Sequence, residues 1–184
     1  MRNKTLIVLV GGPCSGKSSA GKLAASRLGI DYISSGDIAR RMAEHDDDIK
    51  TGLNMGKMAP ESKMREAISN TLWNYFKKLD KGVLILDGFP RFGEQAEWLR
   101  YELPATINIK YVLFHAPSWV LRKRAKDRNR SDDGSFEQRL DYYRKVTYKE
   151  LYDYINTIID TENIEISKCA ILLEDYIEEA IECM

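Results

Sequence analysis

Three stretches of the chain are almost unbroken runs of apolar residues: TLIVLVG over 5–11, GVLILDG over 82–88 and IKYVLFHA over 109–116. Runs this short and this continuous predict strands buried on both faces, as inside a parallel sheet. A weaker run, NIEIS over 163–167, predicts another strand, and DYISSGD over 31–37 a further short one. Between them the apolar spacing changes to the helical period. Ala20, Leu23, Ala24 and Leu28 share one face, with Gly29 placed as a C-terminal stop. Leu173, Ile177, Ala180, Ile181 and Met184 repeat at the same period and predict a helix packed on the sheet. Strands alternating with helices imply an α/β fold, a doubly wound parallel sheet of five strands flanked by helices. Two polar stretches with turn formers, 45–63 and 124–139, read as insertions beside that sheet.

The first apolar run ends in glycines. Gly11, four residues, then Gly16, Lys17 and Ser18 match the phosphate-binding pattern G-x-x-x-x-G-K-[ST]. The required context is present, since a predicted strand precedes the pattern and a helical face follows. Glycines let successive backbone N–H groups turn toward phosphate oxygens, and a helix beginning near Ser15 adds its N-terminal partial positive charge. Lys17 would reach the β- and γ-phosphates of a nucleoside triphosphate, with a serine hydroxyl beside Mg²⁺. That much leaves kinase, GTPase and ATPase open. The second apolar run ends in Asp87. In open α/β sheets ligands bind off the carboxyl ends of the strands, so a carboxylate there can hold Mg²⁺ directly or through water. Arg91, four residues on, makes DGFPR read more as a substrate site than as a plain turn.

With these residues in hand, the chain resembles the nucleoside monophosphate kinase family, and within it the adenylate kinases with a short lid. The glycine loop matches the family's G-x-P-x-S-G-K. SSGDIAR supplies Ser35, Gly36, Asp37 and Arg40, and GKMAP covers Gly56 to Pro60. DGFPR is followed by Gln95, and the lid signature is present as Arg130, Asp132, Asp133, Arg139 and Leu140. The resemblance implies a core of residues 1–33, 64–123 and 140–184 with two mobile insertions, a monophosphate-binding segment at 34–63 and a lid at 124–139.

It implies further that ATP is held by Gly12, Pro13, Cys14, Ser15, Gly16, Lys17, Ser18, Ser19 and Arg128. AMP would be held by Ser35, Gly36, Arg40, Met58, Gly88, Arg91 and Gln95, with Gln95 reading the base. Lys17, Arg91, Arg124, Arg130 and Arg139 would act on the transferring phosphoryl group, with Asp132 and Asp133 orienting the lid arginines. Ser18 and Asp87 would bind Mg²⁺, in part through water. The lid carries no cysteine, so no zinc is expected. Ser35 keeps the hydroxyl of the threonine usual in adenylate-specific relatives, and with Gln95 it leans toward AMP. A kinase of uridylate, cytidylate or deoxynucleoside monophosphates is the nearest alternative. A P-loop ATPase or nucleotide switch is the alternative of another class.

Composition narrows the partners. The 184 residues carry 28 basic and 28 acidic side chains, so nothing global points to nucleic acid or a membrane surface. The RKRAKDRNR run at 122–130 has no interleaved aromatic residue, and lid arginines account for it better than nucleic-acid binding does. The apolar part of the N-terminus is too short for a signal peptide and runs straight into the glycine loop. No stretch approaches the length of a membrane span. Cys14, Cys169 and Cys183 are odd in number, lack metal-ligand spacing and read as reduced thiols of a cytoplasmic protein. The resemblance implies a monomer.

Overall fold

The computed structural model describes residues 4–55, 58–78, 82–128 and 136–182. Strand β1 (Lys4–Gly11) lies at the centre of a five-stranded sheet, with β2 (Asp31–Ser34) and β3 (Gly82–Asp87) on one side. On the other side lie β4 (Ile107–His115) and β5 (Ile155–Asp160), giving the order β2-β3-β1-β4-β5 with every pair parallel.

The period-two geometry of the strands sorts the core into two layers. Leu6, Val8 and Val10 of β1 face one side, where they meet Leu84, Leu86 and Leu113. That side is covered by α2 (Ser35–Ala43), α4 (Glu61–Lys77) and α5 (Gly93–Glu102), through Ile38, Ile68, Leu72 and Leu99. Ile7 and Leu9 face the other side with Ile85, Val112 and Phe114. There α1 (Lys17–Leu28) and α9 (Ile166–Glu182) pack through Ala20, Ala24, Leu173 and Ile177. Both helical faces expected from the sequence are therefore in the core, and Gly29 ends α1 in the left-handed conformation at φ 64°. Ile181, near the far end of the α9 stripe, is exposed, and Met184 lies outside the described residues. Leu86 is completely buried one residue before Asp87. Leu86→Ala is expected to cost about 3 kcal/mol, lowering the melting temperature by roughly 10 °C in a thermal melt.

One expected strand is replaced by another. NIEIS does not form a strand: Glu162 N–H turns back onto Asp160 Oδ1 at 2.9 Å, and α9 begins at Ile166. The fifth strand is INTIID, just before it in the chain. The strand ends where Thr161 N–H and hydroxyl both donate to His115 O, at 2.8 and 3.0 Å, closing the β4–β5 ladder. DYISSGD divides as well, into β2 and the first turn of α2. Ser34 stands at the junction as N-cap, accepting from Asp37 N–H at 3.3 Å.

The polar stretch at 45–63 contains α3 (Asp47–Asn54), which Asp46 caps by accepting from Asp48 N–H and Ile49 N–H. From the second polar stretch the structure describes α6 (Ser118–Arg128) and α7 (Phe136–Tyr142). Arg130, Asp132 and Asp133 lie outside the described residues. A π-helical turn (Tyr143–Thr147) continues α7 into α8 (Tyr148–Leu151). Cys14 and Cys169 are free thiols, and Cys183 lies outside the described residues. Among those described, no helix is long and apolar enough to cross a membrane.

Candidate active site

The carboxyl ends of β1 and β3, neighbours in register from Lys4↔Gly82 to Leu9↔Asp87, bring two loops side by side. The first leads from β1 into α1, which starts at Lys17, two residues after the expected start near Ser15. Gly16 precedes α1 at φ 90°, a left-handed conformation that side-chain-bearing residues rarely adopt, and no side chain caps the helix. The helix therefore points uncapped N–H groups and its positive end at the loop, the arrangement that holds phosphate oxygens. Cys14 shares the left-handed conformation at φ 63°. Gly12 is closely packed, since a Cβ there would lie 2.9 Å from Leu121 Cδ1 and 3.0 Å from Tyr143 Cδ1. The loop is thus backed by α6 and the π-helical turn.

The second loop, DGFPR, follows β3. Ser18 Oγ donates to Asp87 Oδ2 at 2.5 Å, and Tyr32 Oη donates to the same oxygen at 2.6 Å. Burial and the adjacent carboxylate push the Tyr32 phenol well above its usual range, so it stays a donor. Asp87 Oδ1 is buried with no protein hydrogen-bond partner, as are Ser15 Oγ and Ser35 Oγ. Buried polar atoms are nearly always partnered, so three orphans around one pair of loops mark a place built for something else. The Asp87–Ser18 pair fits Mg²⁺, which takes one or two protein oxygens and completes its shell with water and substrate phosphate oxygens. No cluster of three or more His, Cys, Asp or Glu capable of holding a metal is found among the described residues.

Beside the loops opens a cavity of about 690 Å³. Its lining includes Pro13 and Lys17 from the first loop, and Gly88 and Arg91 from the second. Ser35, Gly36 and Arg40 reach it from α2, Met58 from the segment before α4, Gln95 from α5 and Arg139 from α7. These expected site residues are brought together. Arg91 Nε donates to Gly88 O at 3.0 Å. Burial lowers the pKa of its guanidinium, and Arg139 adds repulsion. Two like charges facing one cavity are unfavourable until an anion lies between them. Arg40 is hydrogen-bonded to Asp37, whose carboxyl that bond holds below its ordinary range.

Arg124 is placed differently. Its guanidinium donates to Thr161 Oγ1 at 3.1 Å and to Thr161 O, and it is not in the cavity lining. The backbone of Arg128 ends α6. Four contributors were not singled out by the sequence. Tyr32 grips Asp87, Tyr142 and Tyr143 line the cavity, and Glu61 meets Gln95 across it. Glu61 follows Pro60 at the first position of α4, the one local hint that its side chain had a fixed direction.

Fold and site together define a P-loop phosphotransferase. Residues 10–140 match the family described as AAA domain. An adenylate kinase of Mycobacterium leprae (strain Br4923) is 32% identical over 163 residues, covering 84% of this chain and 88% of the relative. Adenylate kinase isoenzyme 1 of Cyprinus carpio is 29% identical over 157 residues, covering 80% and 79%. A gluconokinase from Sinorhizobium meliloti 1021 superposes with a TM-score of 0.69 over 99% of this chain and 96% of its own, at 17% identity, a likeness of fold alone. The chain belongs to the adenylate kinase family of nucleoside monophosphate kinases.

Proposed function

We propose that this protein is an ATP:AMP phosphotransferase that converts ATP and AMP into two ADP with Mg²⁺. The observation that carries the reading is a single cavity that joins the glycine-loop lysine to Arg40, Arg91 and Arg139. A hydrolase needs the lysine and its loop but has no use for a second cationic site with an organic pocket behind it. Ala39, Ala43, Leu53, Met58 and Met64 give that pocket apolar walls suited to a base.

In this reading the glycine loop and the start of α1 hold the ATP β- and γ-phosphates, with Lys17 on the γ side. Arg40 and Arg91 hold the acceptor phosphate so that one of its oxygens lies in line with the γ-phosphorus. That oxygen forms the new P–O bond as the bond to the β–γ bridging oxygen breaks, and the electron pair stays on ADP. Little covalent chemistry is asked of the protein, so alignment and stabilisation of charge on the transferring group supply the rate. Planar guanidinium forks suit that charge, which assigns Arg91 and Arg139 to it, joined when segment 124–139 closes as a lid by Arg130 and, once released from Thr161, by Arg124. Arg128 belongs with the ATP phosphates. Asp87 and Ser18 would hold Mg²⁺ through its shell, and the ion would supply charge neutralisation for the phosphates. Tyr32 fixes the Asp87 oxygen that Ser18 shares. The reading carries with it a cytoplasmic monomer.

The test is ADP formation from ATP and Mg²⁺ with AMP, dAMP, CMP, UMP, GMP and dTMP offered separately. Turnover is expected with AMP above all others. Preference for a pyrimidine nucleotide would keep the mechanism and replace the acceptor, whereas ADP formed at full rate without acceptor would make the protein an ATPase.

A further inference from the structure

The register of the sheet brings a tyrosine to the donor side of the site. β2 and β3 pair with Tyr32 opposite Ile85 and Ser34 opposite Asp87. Tyr32 and Asp87 therefore project from the same face, the one that α1 covers. Helix α1 carries glycine at this point. A Cβ on Gly21 would lie 2.6 Å from Leu9 Cδ1 and 3.0 Å from Tyr32 Cε2. Glycine weakens a helix interior, and here it admits the tyrosine ring beside the helix. Lys22 Nζ lies over that ring, 5.6 Å from its centroid. The ring is held, and its hydroxyl reaches the carboxylate.

The two oxygens of Asp87 are used differently. Each has lone pairs for about two donors. On Oδ2 both places are taken, by Ser18 Oγ at 2.5 Å and by Tyr32 Oη at 2.6 Å. Oδ1 is buried without a protein partner, in a residue only 4% exposed. Asp87 thus has one oxygen to offer, and the glycine loop lies beside it on the neighbouring strand. Ser18 gives its proton to Asp87 and keeps its own lone pairs for an ion. Cations differ in what they ask of such a carboxylate. Mg²⁺ keeps several waters and needs few protein oxygens, whereas Ca²⁺ takes more oxygen ligands and accepts both oxygens of one carboxylate. A carboxylate confined to one oxygen suits the first and serves the second poorly.

We propose that Tyr32 is a positioning residue for the metal: with Ser18 it saturates Oδ2, confines Asp87 to Oδ1 and so selects Mg²⁺ over Ca²⁺ at the triphosphate. The inference rests on the donor half of the reading above and adds the residue that sets its cation.

The experiment measures binding of a non-hydrolysable ATP analogue, the β,γ-imido triphosphate, by calorimetry with Mg²⁺, with Ca²⁺ and with chelator alone. Wild type is compared with Tyr32→Phe, which keeps the ring against Gly21 and loses only the hydroxyl. The wild type is expected to bind the Mg²⁺ complex more tightly than the Ca²⁺ complex. In Tyr32→Phe that preference falls by about 10-fold, the typical effect of removing a group that orients a metal ligand, while metal-free binding stays within about twofold of wild type. An unchanged preference would make Tyr32 a packing residue and overturn the proposal. So would an equal loss in all three conditions, which would show that the phenol supports the loop and not the metal. A wild type with no preference between the cations overturns it as well. Absence of analogue binding in the wild type, or of ADP formation from ATP and AMP, would instead overturn the functional reading.

Discussion

Lys17→Met is expected to lower kcat by roughly 10³-fold while leaving the melting temperature within about 2 °C of the wild type. The size follows from what is removed. The ammonium is the one side-chain cation carried by the glycine loop itself, and it lines the cavity beside Pro13 and Gly11. A fixed donor aimed at developing phosphate charge is worth about 4 kcal/mol, close to that loss in rate. The fold does not depend on it. Lys17 opens α1, and its side chain makes no hydrogen bond or ion pair among the described residues. Methionine matches its length and its helix propensity. Steady-state ADP production and a thermal melt on the same preparation decide the matter. A variant that keeps a tenth of the wild-type rate would remove Lys17 from the reaction.

Arg91→Ala is expected to reduce kcat/KM for the monophosphate by roughly 10³-fold and to move the KM for ATP by less than about threefold. Arg91 sits at the end of DGFPR, on the acceptor side of the cavity. It is half-buried, and its guanidinium is desolvated, repelled by Arg139 and helped by Asp87. Such a group is costly in the empty protein and becomes favourable when a dianion arrives. Removing it relieves that cost, which offsets the lost hydrogen bond to Gly88 O, and stability should change by no more than about 1 kcal/mol. Arg91→Lys restores charge without the planar fork and should recover only part of the loss. Titrations of each nucleotide at saturating levels of the other provide the comparison. Matching losses for ATP and monophosphate would show that Arg91 does not belong to the monophosphate site.

The parts of the molecule legible in sequence are those built from neighbours in the chain. β1, β3 and β4 are buried on both faces, so burial wrote itself into continuous apolar runs. β5 escaped because it is an edge strand, where only Ile159 is buried and the positions around it are polar or open. NIEIS shows the cleaner alternation of apolar and polar positions, although INTIID carries more β-branched residues. Nothing in the composition of NIEIS reveals that Thr161 has already closed the ladder on His115. The same division holds in the site. The glycine loop and DGFPR are local motifs, complete within a few residues. Contacts that join distant segments were silent: Tyr32 with Asp87, Gln95 with Glu61, Gly12 with Tyr143. Arg124 shows the limit from the other side. The family resemblance made it a ligand of the transferring phosphoryl group, and only the fold reveals the Thr161 carbonyl beside it.

The strand order also has a bearing on how such a chain can change. The loop and helix that follow β1 supply Lys17 and Ser18, while the acceptor side is drawn from β2, β3 and helices α2, α4 and α5, all on one flank of the central strand. A hydrophobic sheet face separates the packing of α1 from that of α4 and α5. Under the proposed reading, substitutions in the pocket between Ser35 and Met64 would change the acceptor while the glycine loop keeps its own backing from α6 and the π-helical turn. Asp87, held by both Ser18 and Tyr32, is the point where the two halves meet.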